Sequence, residues 1–192
     1  MPRILHLVAA RMKPDADADG RERALALAHA LRAAPGVDRV IVAASDERLI
    51  VATWLPDRAA LEPFAASPAH MQFIMRGLAP VIAGMWSASL ETEGEPSEAP
   101  AALWVFALGA SEVFEWQVRA LLLGVEALPG RAATGPTVEE RERYRAGGAV
   151  CLGFAEVGPF DAALAKARPA WAGIADAIEE ASAPVSAPPG AS

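Results

Sequence analysis

The chain has 192 residues, 53% of them hydrophobic and 21% charged, with a formal net charge of −7 and one cysteine. That length holds one large domain or two of about 90–100 residues, enough to bury a core, and the composition is too apolar for disorder. The acidic balance repels phosphate backbones, so no nucleic-acid partner is expected, and Cys151, being alone, excludes an internal disulfide.

The pattern starts with a strand over residues 4–10, a short apolar run rich in β-formers. Residues 21–34 follow with helical periodicity, Ala24, Leu27, Ala28 and Leu31 on one stripe, stopped by Pro35-Gly36. Residues 40–44 and 49–55 read as two strands around the polar tip Ser45-Asp46-Glu47-Arg48, which is hairpin spacing. After Pro56-Asp57 comes a helical region. Leu61 and Phe64 lie in its first part, and Ser67-Pro68 opens a second part with Met71, Ile74, Met75, Leu78 and Ile82 as its stripe. Gly84 ends that helix, and residues 85–90 form a last strand, giving the order βαββαβ over residues 1–93.

Residues 94–102, rich in proline, glutamate and alanine, read as a linker. The pattern then repeats over residues 103–186. A strand spans 103–108, and Phe114, Val118, Leu121, Leu122 and Val125 make a helical stripe. Pro129-Gly130 stops that helix 94 residues after Pro35-Gly36, so that Leu121 falls on Leu27 and Val125 on Leu31. A strand over 148–157 and a helix over 160–181 come next, the helix with Trp171, Ile174, Ala175 and Ile178 as its stripe, 100 residues after Met71, Ile74, Met75 and Leu78. The growing offset implies an insertion, which residues 137–145 fit as a charged hairpin extension facing solvent. Residues 182–186 contain Pro184 and read as no more than a stunted edge strand, and 187–192 as a disordered tail.

A βαββαβ sheet carries helices on one face only. In the first strand Ile4, Val8 and Ala10 lie on one side with His6, while Leu5, Leu7 and Ala9 lie on the other; residues 103–108 are likewise apolar on both sides. Both faces must therefore be buried, and the sister sheet is the natural cover for the face without helices. The expected fold class is α+β: two ferredoxin-like βαββαβ units whose antiparallel sheets pack face to face as an intrachain α/β barrel. Exchange of sheets between two chains, giving a homodimer, satisfies the same pattern, so the chain is expected as a monomeric pseudo-dimer or a homodimer.

The residues Thr53-Trp54 at a strand end, Arg58-Ala59-Ala60-Leu61, and Phe64-Ala65-Ala66-Ser67-Pro68-Ala69-His70 place a short helix and a Ser-Pro-x-His start before the second long helix. In these the chain resembles the dimeric α/β-barrel superfamily, which includes antibiotic-biosynthesis monooxygenases, stress-responsive A/B-barrel proteins and haem-degrading monooxygenases. The local match is short, and the element order carries it over the rest of the chain. The resemblance implies a cavity for a small apolar or aromatic ligand and, in the monooxygenase branch, cofactor-independent oxygenation of an aromatic or polyketide-like substrate. The stress-responsive branch implies instead a non-catalytic binding or interaction module. The haem-degrading branch fits worse: the positions of its Asn, Trp and His correspond here to His6 or a neighbour, Phe64 and Ile74. No cofactor is expected.

Two histidines are candidate proton acceptors. His70 sits at a helix start, where the imidazole is favoured neutral; the competing reading is a boundary residue bonding locally near Ser67. His6 projects among apolar residues from the first strand, where a satisfied core group is the competing reading. Trp54, Trp86 and Trp104 come from predicted strands and are candidates, with Phe64, for lining an aromatic substrate pocket between the sheets; plain barrel core is their other reading. His29, beside Arg32, and the helical Trp116 read as an exposed and a structural residue. Arg11, just after the first strand, is a candidate contact for an anionic substrate, with an ordinary surface charge as its leading reading. The histidines and Cys151 show no metal-ligand spacing, so no metal is expected. No membrane-length apolar stretch and no leader pattern stand out, so a cytoplasmic protein with no membrane partner is expected. An enzyme of this type requires a pocket of at least about 300 Å³ reaching a polar group.

Overall fold

The computed structural model describes residues 2–93, 100–109, 114–138, 143–171, 174 and 178–188. The first unit runs β1 (Arg3–Met12), α1 (Ala18–Ala30), β2 (Arg39–Ala44), β3 (Arg48–Leu55), α2 (Leu61–Ala65), α3 (Pro68–Gln72), α4 (Ala79–Val81) and β4 (Ile82–Thr92). The second runs β5 (Ala102–Gly109), α5 (Glu115–Glu126), β6 (Arg131–Pro136), β7 (Tyr144–Leu152), α6 (Val157–Ala167) and β8 (Ile178–Pro184). Each unit forms one antiparallel four-stranded sheet, ordered β2-β3-β1-β4 and β6-β7-β5-β8. The two orders are the same once the second unit's strands are renumbered, so the duplication seen in the hydrophobic pattern is a duplication of topology. Gly36 and Gly130, from the two Pro-Gly stops, both take positive φ, 71° and 105°, a conformation that glycine enters without a Cβ clash.

The faces divide as the strand alternation requires. Leu5, Leu7 and Ala9 of β1 meet Leu103, Val105 and Ala107 of β5 in a core between the sheets. Ile4, Val8 and Ala10 face α1 and the α2–α4 region, and Phe106 and Leu108 face α5 and α6. The sheet edges then close on each other. β4 meets β6 through Leu90–Thr137 and Glu93–Thr134 bridges, and β2 meets the end of β8 through Ala43–Val185. The Ser186 N–H donates to the Val42 carbonyl at 2.8 Å to complete the second seam. The barrel therefore closes within one chain, with no sheet exchange, and its edge strands are covered. At the β4–β6 seam the backbones come so close that a Cβ on Gly135 would run into the Glu91 carbonyl.

Several elements differ from the sequence reading. The last strand of the second unit is a full one: β8 takes residues 178–184, with Pro184 at its end, where a missing N–H costs least. The preceding helix accordingly ends much earlier than residue 181, and Ile178 belongs to the strand; Ala175 lies outside the described residues. The second long helix of the first unit buries Phe73, Gly77, Leu78 and Val81, while Met71 and Met75 are exposed. A wide π-type stretch over Phe73–Leu78 rotates the buried face away from the expected stripe. Pro80, which cannot donate to the preceding turn, follows that stretch, and Ile82 already starts β4. Phe114 caps α5 from outside and Trp116 points to solvent, so neither is core. The charged insertion is not wholly solvent-facing: Val138 is buried and packs into the helix-side core of the first unit. Most of the linker and tail readings fall on residues 94–99 and 189–192, outside the described residues. Among the described residues no helix is long and apolar enough to cross a membrane.

Candidate active site

The even-numbered residues of β1 turn His6 toward the helices of the first unit, into a layer that is otherwise apolar. Its direct neighbours in the ladder are Thr53 on β3 and Ser89 on β4, so three hydrogen-bonding side chains stand in one row across the sheet. His6 Nδ1 lies 3.0 Å from the Ser89 hydroxyl oxygen. Among the described residues the buried Thr53 hydroxyl has no hydrogen-bond partner, an unmet bonding capacity beside His6.

Above this row sits the Ser-Pro-x-His segment. Ser67 caps α3 by accepting from the His70 backbone N–H at 3.2 Å, with Pro68 in the first turn. This fixes His70 over the sheet. Its ring centroid is 5.8 Å from that of His6 and 4.9 Å from that of Phe64, and Phe64 is 5.6 Å from His6. His70 Nδ1 is 3.0 Å from the Ala65 carbonyl, which can only accept, so Nδ1 carries the proton and Nε2 of the neutral ring keeps its lone pair. The local-contact reading of His70 and the functional one are thus compatible: the local bond sets the tautomer that a base needs.

Burial, and then the nearby His70, lower the His6 pKa to about 4. Burial also lowers that of His70, opposed by its bond to Ala65. Both rings are therefore neutral at pH 7. His6 retains some accessible surface but is ringed by Phe64, His70 and Ser89, and burial remains the larger cause of its shift. Neutral imidazoles beside serine and threonine hydroxyls can accept a proton from a substrate and hold the resulting anion by hydrogen bonds.

The proposed aromatic lining does not converge. Trp54 and Trp86 face the core between the sheets, whereas Trp104 faces the helices of the second unit and Phe64 those of the first. Strand parity puts Trp104 there: it shares its face with Phe106, on which it stacks with centroids 5.0 Å apart. The placement of all three tryptophans between the sheets is therefore corrected for Trp104. Trp86 also borders a cavity of about 290 Å³ at the barrel end with Arg11 and Arg48. Two cavities, of about 550 and 450 Å³, flank Trp104, and neither is lined by a histidine. His29 is 5% exposed rather than open to solvent, 3.0 Å from Arg32 and 3.5 Å from Ser186, so it ties α1 to the C-terminal segment. Thr53 and Ser89 are the site residues missed by sequence reasoning. They announce themselves only through the ladder register, which no single strand reveals.

No family model matches the chain, and no curated protein does. Two solved structures share its fold over nearly the full length of both chains. A candidate monooxygenase from Fusobacterium nucleatum is 12% identical with a TM-score of 0.55, covering 96% of this chain and 91% of that one. A candidate monooxygenase from Lactobacillus acidophilus is 10% identical with a TM-score of 0.54, covering 97% and 94%. At these identities the likeness concerns the fold: a tandem ferredoxin-like barrel in one chain.

Proposed function

We propose that the chain binds a small aromatic or polyketide-like molecule against the helix face of its first sheet and oxygenates it without a cofactor. The observation that carries this reading is the pair of neutral imidazoles, His6 and His70, 5.8 Å apart beneath the helices, beside two hydroxyl side chains. In this reading His70 Nε2 takes a proton from an acidic O–H or C–H of the substrate, and His6 with Ser89 holds the resulting anion. The delocalised anion passes one electron to dioxygen. The substrate radical and superoxide combine into a peroxide, which takes up the proton and loses water. A CH₂ group thus becomes a ketone as one O₂ is consumed and one H₂O leaves. In this reading the protein supplies the base and the orientation; the cavities beside Trp86 and Trp104 lie away from His6 and His70, so the substrate rests against the half-exposed face of His70. The naming of two similar folds as candidate monooxygenases is in keeping with this reading.

The test is dioxygen uptake with anthrone-type and dihydroxynaphthalene substrates. The native chain should consume one O₂ per ketone formed. The His70→Ala variant should lose about 10²–10⁴-fold in kcat while keeping its thermal transition, the usual range for removing a general base. An unchanged rate removes His70 from the mechanism. Binding without any uptake favours the second reading, a non-catalytic binding barrel, which draws support from the ligand-sized cavities placed away from the histidines.

A further inference from the structure

The two cavities beside Trp104 are lobes of one cleft, since both are lined by Ser45, Trp104, Asp161 and Ser182. One lobe, of about 450 Å³, is apolar, with Leu152, Val157 and Phe160 among its walls. Phe154 stands at its border with 93% of its surface exposed, so its ring is free to cover a molecule held in this lobe. The other lobe, of about 550 Å³, carries Glu47, Arg48, Arg168 and Glu180. It lies between the β2–β3 hairpin tip of the first unit and β8 with α6 of the second, so it exists only because the units are joined.

The charges of the polar lobe are not equivalent. Glu180 is occupied twice, by Arg168 at 2.5 Å and by the Trp104 indole N–H at 3.0 Å. Among the described residues Glu47, Arg48 and Asp161 have no ion-pair partner. Of these only Asp161 lines both lobes, so it stands at the waist, where a group attached directly to an apolar body would come to rest. Arg48 lies farther along, in the polar lobe only. A cation next to a flat apolar body meets a carboxylate and two serine hydroxyls there, whereas an anion meets the wrong charge. We infer that this cleft is a second ligand site, taking an aromatic amine whose ring fills the lobe between Trp104, Phe160 and Phe154 and whose ammonium pairs with Asp161.

This inference does not depend on the oxygenation reading, because the cleft contains none of that site's residues. The probes are 2-(1-naphthyl)ethylamine, the neutral 2-(1-naphthyl)ethanol and the anionic 1-naphthylacetate, titrated to 1 mM. The readout is the indole N–H resonance of Trp104, assigned with the Trp104→Phe variant. The amine should shift that resonance with at least tenfold higher affinity than the anion, and the alcohol should fall between. Asp161→Asn should reduce the amine to the affinity of the alcohol. Ser182→Trp, at an exposed position of the waist, should block all three, and His70→Ala should change none. No shift with any probe overturns the site, as does binding untouched by Ser182→Trp. Equal or better binding of the acetate overturns the amine assignment.

Discussion

Across β3, β1 and β4 the helix-facing row of the first unit reads Thr53, His6, Ser89, while the matching row across β7, β5 and β8 reads Val150, Trp104, Ser182. Phe64 stands 5.6 Å from His6, and Phe160 stands 5.5 Å from Trp104. One scaffold has thus been filled in two ways. In the first half the space holds two neutral imidazoles and hydroxyls, one of them unsatisfied; in the second it holds stacked aromatic rings. Desolvated, underbonded groups cost stability, and stacked buried rings supply it. The same layer of one topology is therefore under different physical constraints in the two halves. In this one layer the second half gains stability from stacked rings, whereas the first half keeps polar groups there at a cost.

The largest way to test this difference is to empty the same layer on each side. Phe106 is fully buried in its stack, so Phe106→Ala should cost about 3–5 kcal/mol in denaturant unfolding. His6→Ala removes a side chain that the fold holds at some expense, and should cost at least about 2 kcal/mol less. Equal losses would mean that His6 is as structural as its aromatic counterpart.

Acid sharpens the same contrast, because His6, His29 and His70 all lie in the first half. An unfolded imidazole titrates near 6.5, whereas folded His6 titrates near 4. Above pH 7 it is neutral in both states and contributes no pH dependence. Between 6.5 and 4 the unfolded chain binds a proton that the folded chain refuses, so stability falls as pH falls, by up to about 3 kcal/mol from this group. Burial lowers the His29 and His70 values too, which adds to the same trend. His6→Phe should therefore gain stability relative to the native chain on going from pH 7 to pH 4, read as a difference in urea midpoints. A constant difference over that range would show that His6 is not held neutral.

Much of this architecture is written in the pattern of apolar residues. Alternation in residues 4–10 predicts which side chains of β1 face the sister sheet, and the two Pro-Gly stops mark the repeat. What local pattern cannot carry is anything set by partners distant in sequence. β6, Arg131–Pro136, has only alanine, threonine and glycine at its centre and so gives no hydrophobic signal, and at Gly135 the close seam with β4 leaves no room for a Cβ. β8 has Glu179 and Glu180 in its first half, which read as helix, yet pairing with β5 fixes it as a strand. The histidine site was half legible: His6, Phe64 and His70 were readable as candidates, but that they meet, and that Thr53 and Ser89 join them, follows from register. Trp104 lies two residues from Phe106 and so shares its helix-side face, away from Trp54 and Trp86 between the sheets.

The two seams offer a smaller test. The β4–β6 seam depends on Gly135, whose added Cβ would meet the Glu91 carbonyl, while the β2–β8 seam passes through Ala43 and Val185, which tolerate side chains. Gly135→Ala should cost about 1–3 kcal/mol as an overpacked backbone contact. It should also speed amide exchange in β4 and β6 more than in β2 and β8. Uniform exchange in all four strands would show that the barrel opens as a unit and that its seams are not distinct.

The smallest expected change in stability bears most directly on why the halves are fused. Val138 comes from the second unit, yet its N–H donates to the Ser89 carbonyl at 2.9 Å and its side chain is buried in the first unit's helix-side core. Ser89 is the residue whose hydroxyl lies beside His6. The longer β6–β7 hairpin thus braces the histidine row, whereas the shorter β2–β3 tip, with Ser45, borders an open cleft at the other seam. Val138→Ala keeps the backbone bond and removes about two methylene equivalents, a loss of about 1.6 kcal/mol. If the second half completes the first half's site, KM for the naphthalene-type substrate should change several-fold with that small loss, while probe binding in the Trp104 cleft stays constant. An unaltered KM would confine Val138 to packing and leave the histidine site a property of the first unit alone.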